Sequence, residues 1–220
     1  MRRLTRVEQR ERTRADLVDA AERRFTRDGF HATSVDQVAA DAGYTKGAVY
    51  SNFASKEDLF FAVYERRAER AVAIAERTVA EAGPFDGLRR LTVAAMERRE
   101  RDDGWLAVFF EFWAHAIRHA EHRGRFAAIH GRAQAPLVAA VESFAAERGV
   151  AADVDPAAVT AAVMAMITGL SLERLTRPDL VEPELAVNLG GLVLDHLHGG
   201  GLEDGDGEAR DVRRRRARSA

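Results

Sequence analysis

Four side chains that could bind a metal ion or transfer protons recur between residues 111 and 122. They are Glu111, His115, His119 and His122. A His-x3-His spacing places two imidazoles on one side of a helix, where they can act as metal ligands. A helical wheel, however, places only His119 on the apolar side, and one helix cannot surround a metal ion alone. We therefore expect no metal or cofactor here. His119 should bond a ligand or a buried partner, and the other three should face solvent.

Other arrangements that would support catalysis are absent from the sequence. It has no cysteine, which excludes a thiol nucleophile, thiolate metal sites and disulfides. It also lacks a phosphate-binding loop, a clustered pair of carboxylates and a Ser-His-Asp order. An enzyme is therefore the less favoured class, with the histidines as its only support.

A second group of polar residues lies between residues 45 and 56, and its chemistry suits nucleic acid. Val49 and Phe53 define the inner side of a short helix at 45–53. The outer side is then small, hydroxylated or cationic, which suits a helix lying in the major groove of DNA. The outward residues are Lys46, Gly47, Ala48, Tyr50 and Ser51.

Short helices and glycine turns must position that outer face. Apolar spacing predicts helices at about 10–28 and 35–42, with Gly29 and Gly43 as stops and Ser34 as a cap. Isolated helices this short are marginal in water, so the three must pack together as a helix-turn-helix. A plain three-helix bundle with solvated ends is the alternative. It does not require so many small and hydroxylated residues on one exposed face.

Charge is divided unevenly along the chain. The net charge of the 220 residues is −2, which by itself argues against nucleic acid. Residues 1–56, however, carry 11 Lys and Arg against 8 Asp and Glu, a net of +3. Residues 57–202 carry 16 against 22, a net of −6. The basic part contains the helix-turn-helix, so the asymmetry indicates two regions with different partners.

The segment from Gly29 to Phe60 resembles the N-terminal domain of the TetR family of bacterial transcriptional repressors. Its glycines, its Tyr-x-Asn-Phe element and Lys56 stand at the family's spacing, and the likeness covers about residues 12–62. The rest of the chain resembles the family's variable ligand-binding and dimerisation domain in length and helix count.

This resemblance implies roles for the matching residues. Hydroxyl and amide side chains would contact phosphates, and Lys56 would lie beside a phosphate at a helix N-terminus. Many family members have histidine where this chain has Asn52, whose amide can still donate to phosphate. The phosphate contacts would be Thr33 or Ser34, Thr45, Tyr50 and Asn52, and the residues near base edges would be Lys46, Gly47 and Ser51.

Aromatic residues crowd the predicted helix at 104–121. Its apolar arc is about twice as wide as one core-facing side requires, so it is either covered on two sides or lines a cavity. Both interpretations stay open. The pocket for a small apolar or aromatic effector would be formed by Trp105, Phe109, Phe112, Trp113, His119, Met164 and Met166.

The two last predicted helices, at 156–175 and 183–198, have more apolar surface than one monomer would cover. A pair from each of two subunits would form a four-helix, two-fold interface. The resemblance places the family's dimer interface here as well. The predicted interface residues are Val163, Ile167, Leu170, Leu185, Leu189, Leu192 and Val193.

The sequence as a whole predicts an all-α protein of about nine helices, with the others at 56–81, 85–101 and 123–148. Its parts would be a basic mobile arm (1–9), a helix-turn-helix DNA-binding domain (10–55), a helical ligand-binding and dimerisation domain (56–198) and a disordered tail (199–220). The expected function is a cytoplasmic, ligand-released repressor that binds a palindromic double-stranded operator as a homodimer. No signal peptide or membrane span is expected. A helical protein that binds any DNA is the remaining alternative.

Overall fold

The computed structural model describes residues 5–101, 103–149, 155–177, 185 and 188–190. These residues form helices and no strands, so the all-α prediction is confirmed. The ninth predicted helix, 183–198, falls mostly outside the described residues. The helices are α1 (Arg6–Asp28), α2 (Val35–Ala42), α3 (Lys46–Tyr50), α4 (Lys56–Ala82), α5 (Pro84–Arg101), α6 (Asp103–Arg118), α7 (Ala120–Glu147) and α8 (Pro156–Thr176).

A capping box fixes the start of α1. The Thr5 hydroxyl accepts from the backbone N–H of Glu8, and the Glu8 carboxylate accepts from the N–H of Thr5. The prediction of a mobile arm over 1–9 with a helix from about residue 10 is therefore wrong for residues 5–9. Residues 1–4 lie outside the described part of the chain.

Two further helix boundaries differ from the prediction. α3 ends at Tyr50 and not at residue 53, because the next two residues form a turn that bonds back to Ala48. α6 and α7 meet at His119, whose extended backbone (φ −119°, ψ 106°) interrupts the helix. The predicted break at residues 123 and 124 is wrong, since Gly124 lies inside α7.

An aromatic core joins the N-terminal helices to the rest of the bundle. Phe25 of α1, Phe30 of the α1–α2 loop, Phe60 of α4 and Phe112 of α6 are almost completely buried together. The ring centroids of Phe60 and Phe112 lie 3.9 Å apart, and those of Phe30 and Phe112 lie 5.0 Å apart. Each buried aromatic side chain contributes about 2 kcal/mol to folding. The helix-turn-helix is thus packed directly on the bundle.

The helix α8 is only partly covered by its neighbours. By length and composition it could cross a membrane, with a mean hydropathy of 1.4, and only 17% of its apolar window is buried. Such a helix is weak evidence for a span, because a helix that packs against a partner has the same composition. It packs on α7 and α5 and leaves its other side exposed.

Candidate DNA interface and effector cavity

The outer face of α3 is exposed, and its inner face is anchored in the core. Val49 and Phe53 are 1% and 2% exposed, whereas Tyr50 is 51% exposed. The Thr45 hydroxyl caps the helix by accepting from the backbone N–H of Ala48, at 3.2 Å. The helix therefore presents Lys46, Gly47, Tyr50 and the following Ser51 to solvent, as the sequence pattern predicts.

Lys46 lies in an exposed ion pair at the edge of this face. Its Nζ is 2.8 Å from Asp36 Oδ2 of α2, and both side chains are more than half exposed. The hydrogen bond with Asp36 raises the pKa of Lys46, so the ammonium is charged at neutral pH. An exposed pair of this kind contributes little to stability, which leaves the ammonium able to exchange its carboxylate for a phosphate.

Lys56 is the first residue of α4, as the sequence predicts, and its ammonium is bonded to the α1–α2 loop. Its Nζ donates to the carbonyl oxygens of Phe30 and Thr33, at 2.9 and 3.0 Å, and lies 3.4 Å from that of His31. The ammonium also lies 4.4 Å from the centroid of the Phe30 ring. Three loop carbonyls without helical partners thus use its three protons, so Lys56 holds the α1–α2 loop on the start of α4.

Thr33 and Ser34, which the resemblance offered as alternatives, take separate roles. Thr33 is 2% exposed and its hydroxyl donates to the Gly29 carbonyl oxygen at 2.7 Å, so it cannot reach DNA. Ser34 is exposed at the start of α2, where its hydroxyl caps the helix by accepting from Gln37 N–H. Of the two, only Ser34 remains a candidate phosphate contact.

Ser51 and Asn52 bond mainly to the turn that they form. Both side chains donate to the carbonyl oxygen of Ala48, each at 2.8 Å. Asn52 Oδ1 is buried and has no hydrogen-bond partner among the described residues. The Asn52 amide therefore shapes the end of α3, and its predicted contact with phosphate requires this turn to open.

Sequence reasoning missed two contacts that brace the helix-turn-helix. Arg14 of α1 stacks over the Phe53 ring at 4.4 Å and donates to the Asn52 carbonyl oxygen. The Tyr44 hydroxyl donates to Asp16 Oδ2 at 2.9 Å, which ties the turn after α2 to α1. The available signals were Arg14 in the first half of α1 and the tyrosine after Gly43, but their partners are 38 and 28 residues away, respectively.

A cavity of about 520 Å³ opens between α4, α5, α6, α7 and α8. Its wall is mainly apolar, which suits an apolar ligand. The predicted pocket residues Trp105, Phe109 and Met164 lie on this wall. They are joined there by residues that were not predicted as pocket residues, among them Tyr64, Arg67, Phe85, His130, Thr160 and Ile167.

The other four predicted pocket residues lie elsewhere. Phe112 is fully buried in the aromatic core beneath the helix-turn-helix, because its side of α6 faces α1 and α4. Trp113 packs on Phe126, His119 lies at the α6–α7 junction, and Met166 packs on Ile167. A helical wheel shows which residues share a face, but not which neighbour covers that face.

The residues predicted for the dimer interface are also divided by the structure. Val163 and Ile167 line the cavity, and Ile167 is 3% exposed, so both face inward. Leu170 is partly buried against Ile167, Leu185 is 40% exposed, and Leu189 is partly buried. Leu192 and Val193 lie outside the described residues. The exposed residues of α8 include instead Ala161, Ala162, Ala165, Gly169 and Leu172.

Glu111 and three histidines meet where α6 and α7 reach the α1–α2 loop. The Glu111 carboxylate accepts from the backbone N–H groups of Phe30 and His31, at 2.7 and 2.8 Å, so it is not the solvated residue that the sequence predicted. The ring of His115 lies 4.0 Å from that of His119 and 5.3 Å from that of His122. Over the described residues, no group of histidines and carboxylates has the arrangement of a metal site.

His115 is not solvated, as the sequence predicted it to be, but is partly buried at this junction. Burial, helped by the neighbouring imidazoles of His119 and His122, lowers the pKa of His115. Its Nε2 is buried without a hydrogen-bond partner among the described residues. His119 bonds through Nδ1 to the His115 carbonyl oxygen at 2.8 Å, a contact within one helical turn. Burial therefore favours the neutral form of His115 where it packs at this junction.

A second junction joins α4 to α1 through charge. Glu22 of α1 accepts hydrogen bonds from Arg66 and Arg67 of α4, and Arg70 lies 3.6 Å from the same carboxylate. Burial raises the pKa of Glu22, but the two hydrogen bonds outweigh it and hold the pKa below its usual value. Because Arg67 also lines the cavity, this ion cluster connects the cavity wall to the first helix of the helix-turn-helix.

Comparison with known proteins assigns both halves of the chain. Residues 17–63 match the family model of tetR-family bacterial regulatory proteins, and residues 84–199 match that of the C-terminal domain of BetI-type transcriptional repressors. A curated relative, the HTH-type transcriptional activator FasR of Mycolicibacterium smegmatis, is 30% identical over 106 residues. That match covers 48% of this chain and 42% of FasR, so it spans less than half of the relative.

Solved structures share the fold over most of the chain. A transcriptional regulator from Pseudomonas aeruginosa PAO1 is 24% identical and aligns with a TM-score of 0.73, over 86% of this chain and 92% of its own. FadR from Bacillus subtilis, solved in complex with stearoyl-CoA, is 18% identical, with a TM-score of 0.68 over 84% of this chain and 98% of its own. These matches indicate no enzymatic family. The C-terminal model alone covers more than half of the residues, and the chain belongs to the TetR family of bacterial transcriptional regulators.

Proposed function

We propose that this protein is a repressor that binds a palindromic operator as a homodimer and is released from it by a small apolar or aromatic effector. The observation that carries the proposal is the exposed face of α3, held on a buried inner face and capped by Thr45. A five-residue helix with this polar surface has little use in packing, whereas it fits a major groove.

The DNA contact would be made by the exposed face of α3. Lys46 would leave Asp36 for a phosphate or a base edge, and the exposed Tyr50 hydroxyl would bond a phosphate. Ser34 and Thr45, at the starts of α2 and α3, would add contacts to phosphates of the DNA backbone. Gly47 and Ala48 carry no polar side chain, so sequence-dependent DNA shape would supply part of the specificity.

A homodimer would place two such helices on one operator. The exposed side of α8, with Ala165, Gly169 and Leu172 along it, supports an interface there, because small residues let two helices approach closely. The half-sites would then lie one helical turn or a multiple of it apart, about 34 Å for one turn.

Release would begin in the cavity between α4 and α8. Its volume and apolar wall suit a small hydrophobic effector, and the related fold of FadR holds stearoyl-CoA. An effector can shift operator binding only by the difference between its affinities for the two conformations. The contacts of α4 with α1, through Glu22, and of α6 with the α1–α2 loop, through Glu111, are the routes by which that shift would reach α3.

DNase footprinting of the full chain on the DNA upstream of its own gene tests this function. A discrete protected palindrome, lost in Tyr50→Ala at unchanged helical content, is the expected result. Uniform protection of any DNA would instead favour the alternative of a non-specific DNA-binding protein. Absence of protection at any concentration would refute both.

A further inference from the structure

The charged residues on the cavity wall are all cationic. Arg67, Arg70 and Arg89 line it, and no aspartate or glutamate does so among the residues that the structure describes. The other titratable base on the wall, His130, is neutral, because burial lowers its pKa. The cavity therefore combines an apolar interior with positively charged hydrogen-bond donors.

Arg67 has a place in both the cavity and the ion cluster on α1. Its guanidinium carbon lies 4.3 Å from the ring centroid of Trp105, which is also on the cavity wall. Its Nη1 is 2.6 Å from Glu22 Oε1, and its side chain is 23% exposed. A ligand beside Trp105 would therefore meet the guanidinium that Glu22 now holds.

Two uncharged hydroxyl groups of the cavity wall, those of Tyr64 and Thr160, are also available to a ligand. Gln134 donates to Nε2 of His130, so the ring proton lies on Nδ1 and is donated to the Tyr64 oxygen, at 2.9 Å. This arrangement leaves the phenol hydrogen of Tyr64 for an acceptor in the cavity. Thr160 is 3% exposed, and its hydroxyl has no hydrogen-bond partner in the described ranges. Oxygen atoms of a ligand would satisfy both groups.

We propose that the effector is an anionic amphiphile, an apolar body with a carboxylate head, and that the head binds Arg67 in competition with Glu22. The inference rests on the proposed function, and it narrows the effector to one charge type. Carboxylate and guanidinium form strong, paired hydrogen bonds, so a carboxylate can replace the carboxylate of Glu22 without leaving Arg67 unpaired. The exchange loosens α4 from α1, the first helix of the helix-turn-helix, only when the ligand is negatively charged.

A matched series of fluorescent probes tests the charge. Pyrenebutyrate, pyrenebutanol and pyrenebutylammonium share one apolar body and differ in the head group, and fluorescence anisotropy reports their binding to the full chain. We expect the carboxylate to bind at least about tenfold more tightly than the alcohol, and the ammonium to bind most weakly. Equal binding of the three, tighter binding of the ammonium, or no binding of the carboxylate would overturn the inference.

Three variants then test the competition. Arg67→Ala should weaken the binding of pyrenebutyrate by about tenfold and leave the affinity for pyrenebutanol unchanged. Arg66→Ala is the matched control, because Arg66 binds the same Glu22 carboxylate but does not line the cavity. Glu22→Gln, which keeps Arg67, should bind pyrenebutyrate several-fold more tightly. Unchanged affinity in both Glu22→Gln and Arg67→Ala would refute the role of Arg67.

Operator retention is measured separately, so that the two proposals fail differently. If pyrenebutyrate binds as expected but does not change operator retention, the charge assignment stands and release by the effector is refuted. If pyrenebutanol releases the protein from the operator as well as pyrenebutyrate does, the proposal of an effector-released repressor stands and the proposal that the effector is anionic is refuted.

Discussion

The carboxylate of Glu111 accepts a hydrogen bond from the backbone N–H of Phe30, 2.7 Å away, and a second from the next N–H along the chain. These two N–H groups follow the end of α1 and have no helical partner of their own. Their acceptor lies 81 residues later on α6. One side chain of α6 thus holds the loop that leads to α2.

Glu111→Ala should therefore loosen this loop. Two N–H groups lose a charged acceptor, and we expect the free energy of unfolding to fall by about 1–3 kcal/mol. Amide hydrogen exchange at Phe30 and His31 should accelerate more than exchange in α4. The control is Glu142→Ala, an exposed residue of α7. Unchanged exchange at both amides would mean that the loop holds its position without Glu111.

Tyr50 and Lys56 should separate into a DNA contact and a structural contact. Tyr50→Ala removes an exposed side chain, so we expect the melting temperature to stay the same and the operator affinity to fall about tenfold or more. Lys56→Met keeps the stem over Phe30 but removes three bonds to carbonyls. It should cost about 1.5–3 kcal/mol of stability. Calorimetry and gel retardation on both variants measure this. A Lys56→Met protein of normal stability that fails to bind the operator would instead support the predicted contact of Lys56 with a phosphate.

The close approach of α6 to α1 depends on Gly104. A Cβ atom there would clash with the Thr26 carbonyl oxygen, so Gly104→Ala must push the helices apart. We expect a loss of about 1–3 kcal/mol in chemical denaturation. Gly131→Ala in α7 is the matched control, because nothing lies within 4 Å of its Cβ, and alanine there should stabilise by about 0.5–1 kcal/mol. Equal effects of the two changes would contradict the packing explanation.

The local part of this site was predictable, and the long-range part was not. Val49 and Phe53 follow a period that fixes which side of α3 is buried, and Ser34 precedes Gln37 at capping-box spacing, so both were found from the residues alone. The positions of Lys56 and Glu111 depend on carbonyl and N–H groups of a loop more than 20 residues away, for which the sequence has no signal.

The same limit explains the errors in the C-terminal half. Phe112 and Phe109 are both apolar and three residues apart, yet one lies in the core beneath the helix-turn-helix and the other lines the cavity. Periodicity assigned both to the apolar side of α6. Their separation follows from α1 and α4 covering one edge of that side, and only the packed structure contains that information.

Dimerisation should depend on the exposed side of α8 and not on its cavity side. Ala165→Arg places a long charged side chain on the exposed side, so we expect analytical ultracentrifugation to find a monomer with unchanged helical content. Ala80→Arg, on the exposed side of α4, is the control and should sediment like the wild type. A dimeric Ala165→Arg protein would place the interface elsewhere.

Stability should fall as the pH drops below about 6.5, because two histidines are held neutral by burial. The pKa of His115 is lowered from its ordinary 6.5 by burial and by its imidazole neighbours, and burial also lowers the pKa of His130. Below pH 6.5 the unfolded chain then binds more protons than the folded one, so the free energy of unfolding decreases toward acid. Because each histidine binds one proton, it can change the free energy of unfolding by at most about 1.4 kcal/mol per pH unit.

His115→Leu removes one of these two groups without adding charge to the junction with Phe30 and Phe112. Melting temperatures between pH 7.5 and 5.5 should show a shallower acid slope for this variant than for the wild type, with the residual slope due to His130 and the carboxylates. The exposed His31, whose Nε2 lies 3.8 Å from Glu111, provides the comparison, because His31→Leu keeps the partly buried His115 in the chain. A wild-type stability that rises toward acid over this range would contradict the assignment, since it would require histidines whose charged form is favoured by folding.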